Sequence, residues 1–376
     1  MRPILAHWHD DCLQHDTGSG LFEGGPSPLL AVPELHPENA ERLLNVRSVM
    51  ERGPLADDVE WREAPLATDA ELATVHTTEH IASVDALAEA DGVVCVEGST
   101  FASAATPAAA RRSAGAALAA ADAAAGAEAA IAYACTRPPG HHAAPATTDG
   151  YCFFNNAALA AQRLRDRGAA RVAVVDWDVH HGNGTQACFW ERPDVLAISV
   201  HMDHRSWGPH HPEDGVITER GAGAGLGATL NVPLPFGCGD DAYADAFDQV
   251  VLPALLEFVP DAIVCALGTD ASQFDANGRM AVSGAGFHRI GAVMHGVAVE
   301  LGVRSLVVTQ EGGYARTYGA YGTVATLLGL LGRPNEIDDP LAYPARGEDA
   351  HHAAVAAARE AWELGAGERA AGQASG

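Results

Sequence analysis

Short runs of apolar residues recur along the chain, and each gives way to polar or glycine-rich residues. An apolar run of about 4–8 residues in such a setting is typical of a strand buried on both faces of a parallel sheet. The runs occupy residues 3–6, 130–136, 172–175, 195–200, 228–232, 263–267 and 305–309. Helical spacing marks 37–52, 68–75, 78–90, 107–130, 155–167, 240–258, 286–301 and 347–364, with one more helix ending near 331. This alternation predicts an α/β fold with a doubly wound, mostly parallel sheet flanked by helices.

Two of the predicted helices carry distinct local signals. Pro37 suits the first position of a helix, and Glu38 would add a favourable charge to its first turn. Residues 107–130 are nearly all alanine, which is the best helix former, so we expect an ordered helix there. Its small side chains would let that helix lie close against the sheet.

Length and composition are those of an ordinary globular protein. At ~100–200 residues per domain, a chain of 376 residues could hold two or three domains, but no linker interrupts it. We assign residues 1–364 to a single domain and expect residues 365–376 to form a flexible tail. Hydrophobic residues make up 48% of the chain and charged residues 19%, which excludes a globally disordered protein.

The formal net charge is −26. Binding to a nucleic-acid backbone needs basic patches, so we expect no direct nucleic-acid partner. An acidic field would attract a cationic substrate, although it would equally serve solubility alone.

Cysteine usage and the N-terminus bear on the compartment. The seven cysteines form no CxxC pair and are odd in number, which predicts free thiols in a reducing compartment. The first residues lack the apolar core of a signal peptide, and no stretch reaches the ~18 apolar residues of a membrane span. We therefore expect a soluble, cytoplasmic protein without a membrane partner. The sequence does not decide whether it forms a homo-oligomer.

The apolar run at 172–175 changes abruptly into ionisable residues. Asp176, Asp178 and His180 alternate along the chain, so they would share one face if the extended backbone continued. Open α/β sheets place their chemistry at the carboxyl ends of strands. Two carboxylates and an imidazole at such a position suit a divalent metal such as zinc. A solvated acidic loop is the alternative, but a buried strand seldom leads into so many ionisable groups without a role.

Three further strand ends carry candidate chemistry. His141 and His142 follow the run at 130–136 on a tight turn, where they could bind metal or move protons. Asp270 follows the run at 263–267 and is the natural third metal ligand. Tyr314 follows the last run after two glycines, which give the backbone freedom to aim its phenol. A doubly wound sheet would bring these strand ends to one edge.

Five segments, taken together, resemble the zinc-dependent histone deacetylase family. They are HPENAERL (36–43), RPPGHHA (137–143), GYCFFNN (150–156), DWDVHHGNG (176–184) and QEGGY (310–314). Their order and spacing are similar to the family's over roughly residues 1–335, and jointly they are highly specific. The pattern with Asn183 is more similar to the class II branch and its bacterial histone deacetylase-like amidohydrolases. The resemblance implies an arginase/deacetylase-like fold.

The resemblance also implies catalytic roles. His141 and His142 would take a proton from water and deliver one to the leaving amine, and Asp176 would orient one of them. Tyr314 would donate a hydrogen bond to the developing oxyanion. The implied zinc ligands are Asp178, His180 and Asp270. Class I members carry Asp in place of Asn183; a neutral amide cannot stabilise an imidazolium as a carboxylate would, so we expect His142 to start neutral.

Further residues are implied around this centre. Tyr151 would form one wall of the substrate channel, where family members usually carry Phe, and Trp207 the opposite wall. Glu97 would supply a carboxylate at the channel rim, although an ordinary exposed Glu is as good an interpretation. A structural potassium ion would be held by the backbones of Asp176, Asp178 and His180 together with Ser199.

The function that these observations predict is zinc-dependent hydrolysis of an acyl-lysine or a small acylated amine by metal-activated water. An acetylpolyamine amidohydrolase of the same family would suit the acidic charge. A catalytically silent acyl-lysine-binding protein would not need every catalytic candidate together. A binuclear manganese ureohydrolase would need a bridging carboxylate just after the ligating histidine, where this chain has His181, Gly182 and Asn183.

Overall fold

Twelve strands occur in the described residues, which are 3–204, 215–345 and 349–374 of the computed structural model. The strands are β1 (Ile4–Trp8), β2 (Ser19–Gly20), β3 (Glu34–Leu35), β4 (Val59–Glu63), β5 (Val94–Glu97), β6 (Thr100–Ala102), β7 (Ile131–Ala134), β8 (Val172–Asp176), β9 (Val195–Met202), β10 (Thr229–Leu234), β11 (Ala262–Leu267) and β12 (Leu306–Gln310). Eight of them form one sheet in the order β10-β9-β8-β11-β12-β7-β1-β4, and every neighbouring pair is parallel. The predicted α/β fold is therefore confirmed.

The helices of the described residues cover both faces of this sheet. They are α1 (Asp11–Gln14), α2 (Ala40–Arg52), α3 (Asp69–Leu72), α4 (Thr78–Asp85), α5 (Thr106–Ala125), α6 (Asn156–Asp166), α7 (Asn183–Phe189), α8 (Asp240–Ala246), α9 (Leu252–Phe258), α10 (Gly284–Leu301), α11 (Tyr318–Leu330) and α12 (Ala350–Ala374). Short 3-10 helices lie at Ala86–Glu89 and Gly223–Gly225, and a π-helical turn at Phe247–Val251 joins α8 to α9. No helix within these described ranges combines the length and the apolar character needed to cross a membrane.

Two helix ends differ from the predictions. Helix α2 begins at Ala40, with Asn39 as the N-cap accepting from the N–H of Glu41, so the assignment of Pro37 to the first helical position is wrong. Glu38 lies before the helix and is fully buried, where it pairs with Arg42 instead of serving the helix terminus. At the other end of the chain, the backbone of 365–374 continues helix α12.

Successive strand residues point to opposite faces, and each face has its own core. Tyr133, Val175 and Cys265 belong to the larger core, which includes apolar residues of α2, α10 and α11. On the other face, Ala132 and Ala134 pack in a cluster made largely of alanines from α5 and α6. The alanine-rich helix lies against the sheet as the sequence predicts.

The edge strand β4 has no counterpart among the predicted strands. Its residues Val59–Glu63 include two glutamates and an arginine, and only Val59 is buried. A strand at the sheet edge that is largely exposed needs no apolar run, so the sequence pattern that marks the central strands does not mark it.

Candidate metal centre and active site

The four strands whose ends carry the candidate chemistry are direct neighbours at the middle of the sheet, in the order β8, β11, β12 and β7. All four run parallel, so their carboxyl ends open on the same edge. The order along the chain is different, because β11 and β12 lie between β7 and β8 in the sheet. This reversal of strand order creates the crevice in which doubly wound sheets bind their ligands.

Asp178, His180 and Asp270 converge in this crevice. One ligand atom from each lies within 4.8 Å of the other two. His180 Nδ1 lies 3.0 Å from Asp178 Oδ1 and 3.2 Å from Asp270 Oδ2. Both carboxylates are fully buried. Three protein ligands with an open side are the arrangement that catalytic zinc sites use.

The backbone reaches this arrangement differently from the predicted alternation. Strand β8 ends at Asp176, and the chain bends at residues 178–180. Asp178 and His180 therefore do not share a strand face with Asp176. Their backbone N–H groups instead donate to preceding carboxylates, Asp178 N to Asp176 Oδ1 and His180 N to Asp178 Oδ1, each at 3.0 Å.

The carboxylate oxygens of Asp178 and Asp270 are held by the backbone. Asp178 Oδ2 accepts from Gly312 N at 2.7 Å, and Asp270 Oδ1 accepts from Val179 N at 2.9 Å. Asp270 Oδ2 is buried without a hydrogen-bond partner, since the approach of His180 lacks hydrogen-bond geometry. A buried, partnerless carboxylate oxygen is costly, and a cation at this point would satisfy it.

The electrostatics of the cluster also suit a cation. Burial raises the pKa of Asp270, and the charge of Asp178 raises it further, to about 7. Burial opposes the charge of Asp178, but His141 and His180 outweigh this effect and hold its pKa well below the usual value. One of the two carboxyls is thus disfavoured as an anion while the other is ionised. A divalent cation would stabilise both anions.

His141 and His142 lie side by side next to these ligands, with ring centroids 4.0 Å apart. His141 Nδ1 lies 2.9 Å from Asp176 Oδ2, and His142 Nδ1 lies 2.7 Å from Asn183 Oδ1. Burial lowers the pKa of His141, but the charges of Asp178 and Asp176 outweigh it and raise the value to about 10. At Nδ1 the two histidines thus face different groups, a carboxylate for His141 and an amide for His142.

Glu311 is a site residue that the sequence interpretation missed. Its buried Oε2 accepts from the backbone N–H groups of Gly140 and His141 at 2.7 and 3.1 Å. Burial raises its pKa to about 7. The carboxyl therefore fixes the turn that presents the histidine pair. An acidic residue between a buried strand and two glycines was the available signal.

Tyr314 is buried at the edge of the same crevice. Asp275, also missed from sequence, accepts from the backbone N–H groups of Tyr314 and Ala315 at 2.6 and 2.8 Å. Gly313 has a φ of 127°, a conformation that favours glycine. Burial raises the pKa of Tyr314 well above its usual value, and the carboxylates of Asp178 and Asp270 act in the same direction. The phenol is therefore protonated and able to donate.

Tyr151 stands edge-on to Tyr314, with ring centroids 5.6 Å apart. Its side chain is buried, and its backbone has a φ of 70°. The hydroxyl hydrogen-bonds to Glu23, and Asn277 Nδ2 donates to it at 3.1 Å. The extra hydroxyl relative to Phe is thus taken up by protein partners.

The remaining predicted residues lie around this centre. Glu97 is exposed on the antiparallel hairpin of β5 and β6. Ser199 lies in β9, with its Cα opposite that of Asp176 in β8, and its Oγ accepts from Gly182 N at 3.3 Å. Trp207 lies outside the described residues.

The sheet order and its ligand-bearing crevice define an arginase/deacetylase-like fold. A model of the histone deacetylase domain matches residues 36–330. Histone deacetylase 8 of Arabidopsis thaliana is 45% identical over 343 residues, which are 90% of this chain and 91% of that protein. The histone deacetylase-like amidohydrolase of Pseudomonas aeruginosa is 43% identical over 211 residues, 56% of this chain and 54% of that protein. The chain belongs to the histone deacetylase family.

Solved structures agree with this assignment. The HD domain of HDA15 superposes with a TM-score of 0.84 at 29% identity, covering 100% of this chain and 98% of that chain. An acetylpolyamine aminohydrolase from Burkholderia pseudomallei gives a TM-score of 0.74 at 32% identity, covering 87% of this chain and 98% of that chain. Family membership supports a deacetylase-type amidohydrolase, that is, an enzyme that hydrolyses amides.

Proposed function

We propose that this protein is a zinc-dependent amidohydrolase that removes an acyl group from acyl-lysine or a small acylated amine. The observation that carries the proposal is the convergence of Asp178, His180 and Asp270 beside a histidine pair and a buried tyrosine. In this proposal these residues supply the elements of an amide hydrolase: a cation site, proton-transfer groups and an oxyanion donor.

The donor set fits zinc. Two carboxylates and one imidazole leave open positions, and the partnerless Oδ2 of Asp270 is aimed at the cluster. When bound, zinc polarises a carbonyl and lowers the pKa of water from 15.7 toward about 7.

The protein's own residues move the protons. His142 accepts a proton from the attacking water at Nε2, since its Nδ1 faces the Asn183 carbonyl oxygen. His141, whose imidazolium is stabilised by Asp176, donates a proton to the amine nitrogen as the C–N bond breaks. The Tyr314 hydroxyl donates to the carbonyl oxygen as negative charge develops on it.

A structural potassium ion belongs to the same proposal. Asp176 and Ser199 lie opposite each other on the adjacent strands β8 and β9. An ion held there by the backbones of Asp176, Asp178 and His180 with Ser199 would stiffen the segment that carries two of those ligands.

Acetylated polyamines are the second candidate substrate. Two observations favour them: the net charge of −26, which attracts polycations, and likeness to proteins named as acetylpolyamine amidohydrolases, one of them 44% identical over 183 residues.

A substrate panel tests the proposal. Zinc-loaded enzyme is assayed with acetyl-lysine peptides, longer acyl-lysine peptides and acetylated polyamines, and Asp178→Asn serves as the background control. We expect hydrolysis of at least one class by wild type and none by the variant. Binding of acyl-lysine without turnover by wild type would instead favour a silent acyl-lysine-binding protein.

A further inference from the structure

The turn that presents Tyr151 begins at Asp149 and packs directly on His142. Asp149 and Cys152 exchange backbone hydrogen bonds of 3.2 and 2.7 Å, and the two central residues have φ angles of 50° and 70°, as type I′ turns require. A Cβ on Gly150 would lie 2.3 Å from His142 Cδ2. The turn therefore packs Gly150, the residue after Asp149, directly against the His142 ring.

Asp149 contacts Asn183, the residue that faces His142 Nδ1. Asp149 Oδ2 accepts a 2.8 Å hydrogen bond from Asn183 Nδ2. The other end of that amide, Oδ1, accepts from Gly184 N at 2.9 Å and faces His142 Nδ1 at 2.7 Å. The two ends of an amide are similar in shape, so their assignment rests on the neighbours. Here Nδ2 faces an acceptor, the Asp149 carboxylate, and Oδ1 faces a donor, the Gly184 N–H.

This orientation decides which nitrogen of His142 carries the proton. Asp149 Oδ2 accepts the hydrogen bond from Asn183 Nδ2, so Asp149 selects the NH2 end of Asn183. The carbonyl end is then left for His142, and a carbonyl oxygen also only accepts. Nδ1 of His142 must therefore be the N–H, and in the neutral imidazole Nε2 carries the lone pair.

We propose that Asp149 is a positioning residue that fixes the tautomer of His142 through Asn183, with the proton on Nδ1 and the acceptor lone pair on Nε2. The use of that lone pair as the base rests on the proposed function, whereas the tautomer does not. A neutral amide alone could present either end to an imidazole. The Asp149 carboxylate at Nδ2 and the Gly184 N–H at Oδ1 together remove that ambiguity.

The first arm of the test measures the tautomer in metal-free wild-type protein, by ¹⁵N NMR of labelled histidine ring nitrogens with His142 assigned from a His142→Ala sample. We expect protonation at Nδ1. A wild-type His142 that is protonated at Nε2 overturns the proposal, and this arm needs no Asp149 variant to fold.

The second arm uses Asp149→Ala and the conservative Asp149→Asn, with exposed Asp91→Ala as the matched control. Asp149→Ala should give a mixture of tautomers and lower kcat by roughly 10–100-fold at little-changed KM, the loss typical of an outer partner of a metal-site residue. Asp149→Asn should restore most of the kcat, because its Oδ1 can again accept from Asn183. Asp91→Ala should match wild type in both measurements.

Two results of this second arm would overturn the proposal: wild-type kcat in Asp149→Ala, or a lowered kcat with the Nδ1 proton still in place. An inactive wild type with the expected tautomer would instead refute the proposed function and leave the tautomer assignment intact, so the two failures can be told apart.

Discussion

Gly312 donates its backbone N–H to Asp178 Oδ2 in a 2.7 Å hydrogen bond. The residues are distant in sequence, but they follow β12 and β8, which both flank β11. A Cβ on Gly312 would lie 2.2 Å from Asp270 Oδ2 and 2.5 Å from Asp178 Oδ2. Only a hydrogen atom fits between the two carboxylates, so this glycine sets the spacing of the proposed zinc ligands.

Gly312→Ala should therefore displace both carboxylates and weaken zinc binding by at least about 10-fold, with loss of kcat. Zinc retained after dialysis against a chelator measures this directly. Gly296→Ala is the control, because a Cβ at that exposed helical position meets nothing within 4 Å and should stabilise the fold by about 0.5–1 kcal/mol. Full zinc and normal kcat in Gly312→Ala would contradict the account.

Tyr314→Phe should lower kcat by roughly 10²–10³-fold, the loss typical of one oxyanion donor. KM should change little because the hydrogen bond forms mainly in the transition state, and zinc content should stay constant. Steady-state kinetics on the best substrate provide the measurement, and the exposed Tyr321→Phe is the control. A near-normal kcat would mean that Tyr314 serves packing alone.

Glu38 should make the fold sensitive to acid. Burial raises the pKa of its carboxyl, but Arg137 and Arg42 outweigh burial and lower the value from 4.5 to about 2. Both guanidinium groups donate to Glu38 Oε1 at 2.9 Å. Because the folded pKa is depressed, this stabilisation is complete above pH 4.5 and is lost as pH falls toward 2.

Glu38→Gln should thus lower the free energy of unfolding by about 3–5 kcal/mol at pH 7, the cost of breaking a buried ion pair. Below pH 4.5 the free energies of unfolding of variant and wild type should approach each other. Urea unfolding at several pH values measures it. Glu51→Gln is the control, since it breaks the more exposed pair with Arg47 on the same helix and should cost below about 1 kcal/mol. A difference in free energy of unfolding between Glu38→Gln and wild type that is constant with pH would refute the lowered pKa of Glu38.

The strands at the centre of the sheet could be predicted because burial on both faces demands apolar runs. Their polar ends, Asp176 and Asp270 among them, could be placed because parallel strands share an edge. The bend after Asp176 could not be predicted, since it depends on hydrogen bonds to carboxylates and not on strand periodicity.

Glu311, Asp275 and Asp149 were missed for a related reason. Each acts on partners that only the fold brings near: Glu311 on the backbone of the histidine turn, Asp275 on that of Tyr314, and Asp149 on the Asn183 amide. Glu311 had a local signal in its place between a buried strand and two glycines, but no local spacing marks Asp275 or Asp149 as an acceptor from a remote N–H group.

The metal content of Asp270→Ala tests the central claim, that Asp178, His180 and Asp270 hold one catalytic zinc. Asp245→Ala is the matched control, because Asp245, His351 and His352 form the other cluster among the described residues that could hold a metal ion. We expect about one zinc per chain in wild type and in Asp245→Ala, both active, and neither zinc nor activity in a folded Asp270→Ala. Full zinc and activity in Asp270→Ala, or two metal ions in the active site of wild type, would contradict the account.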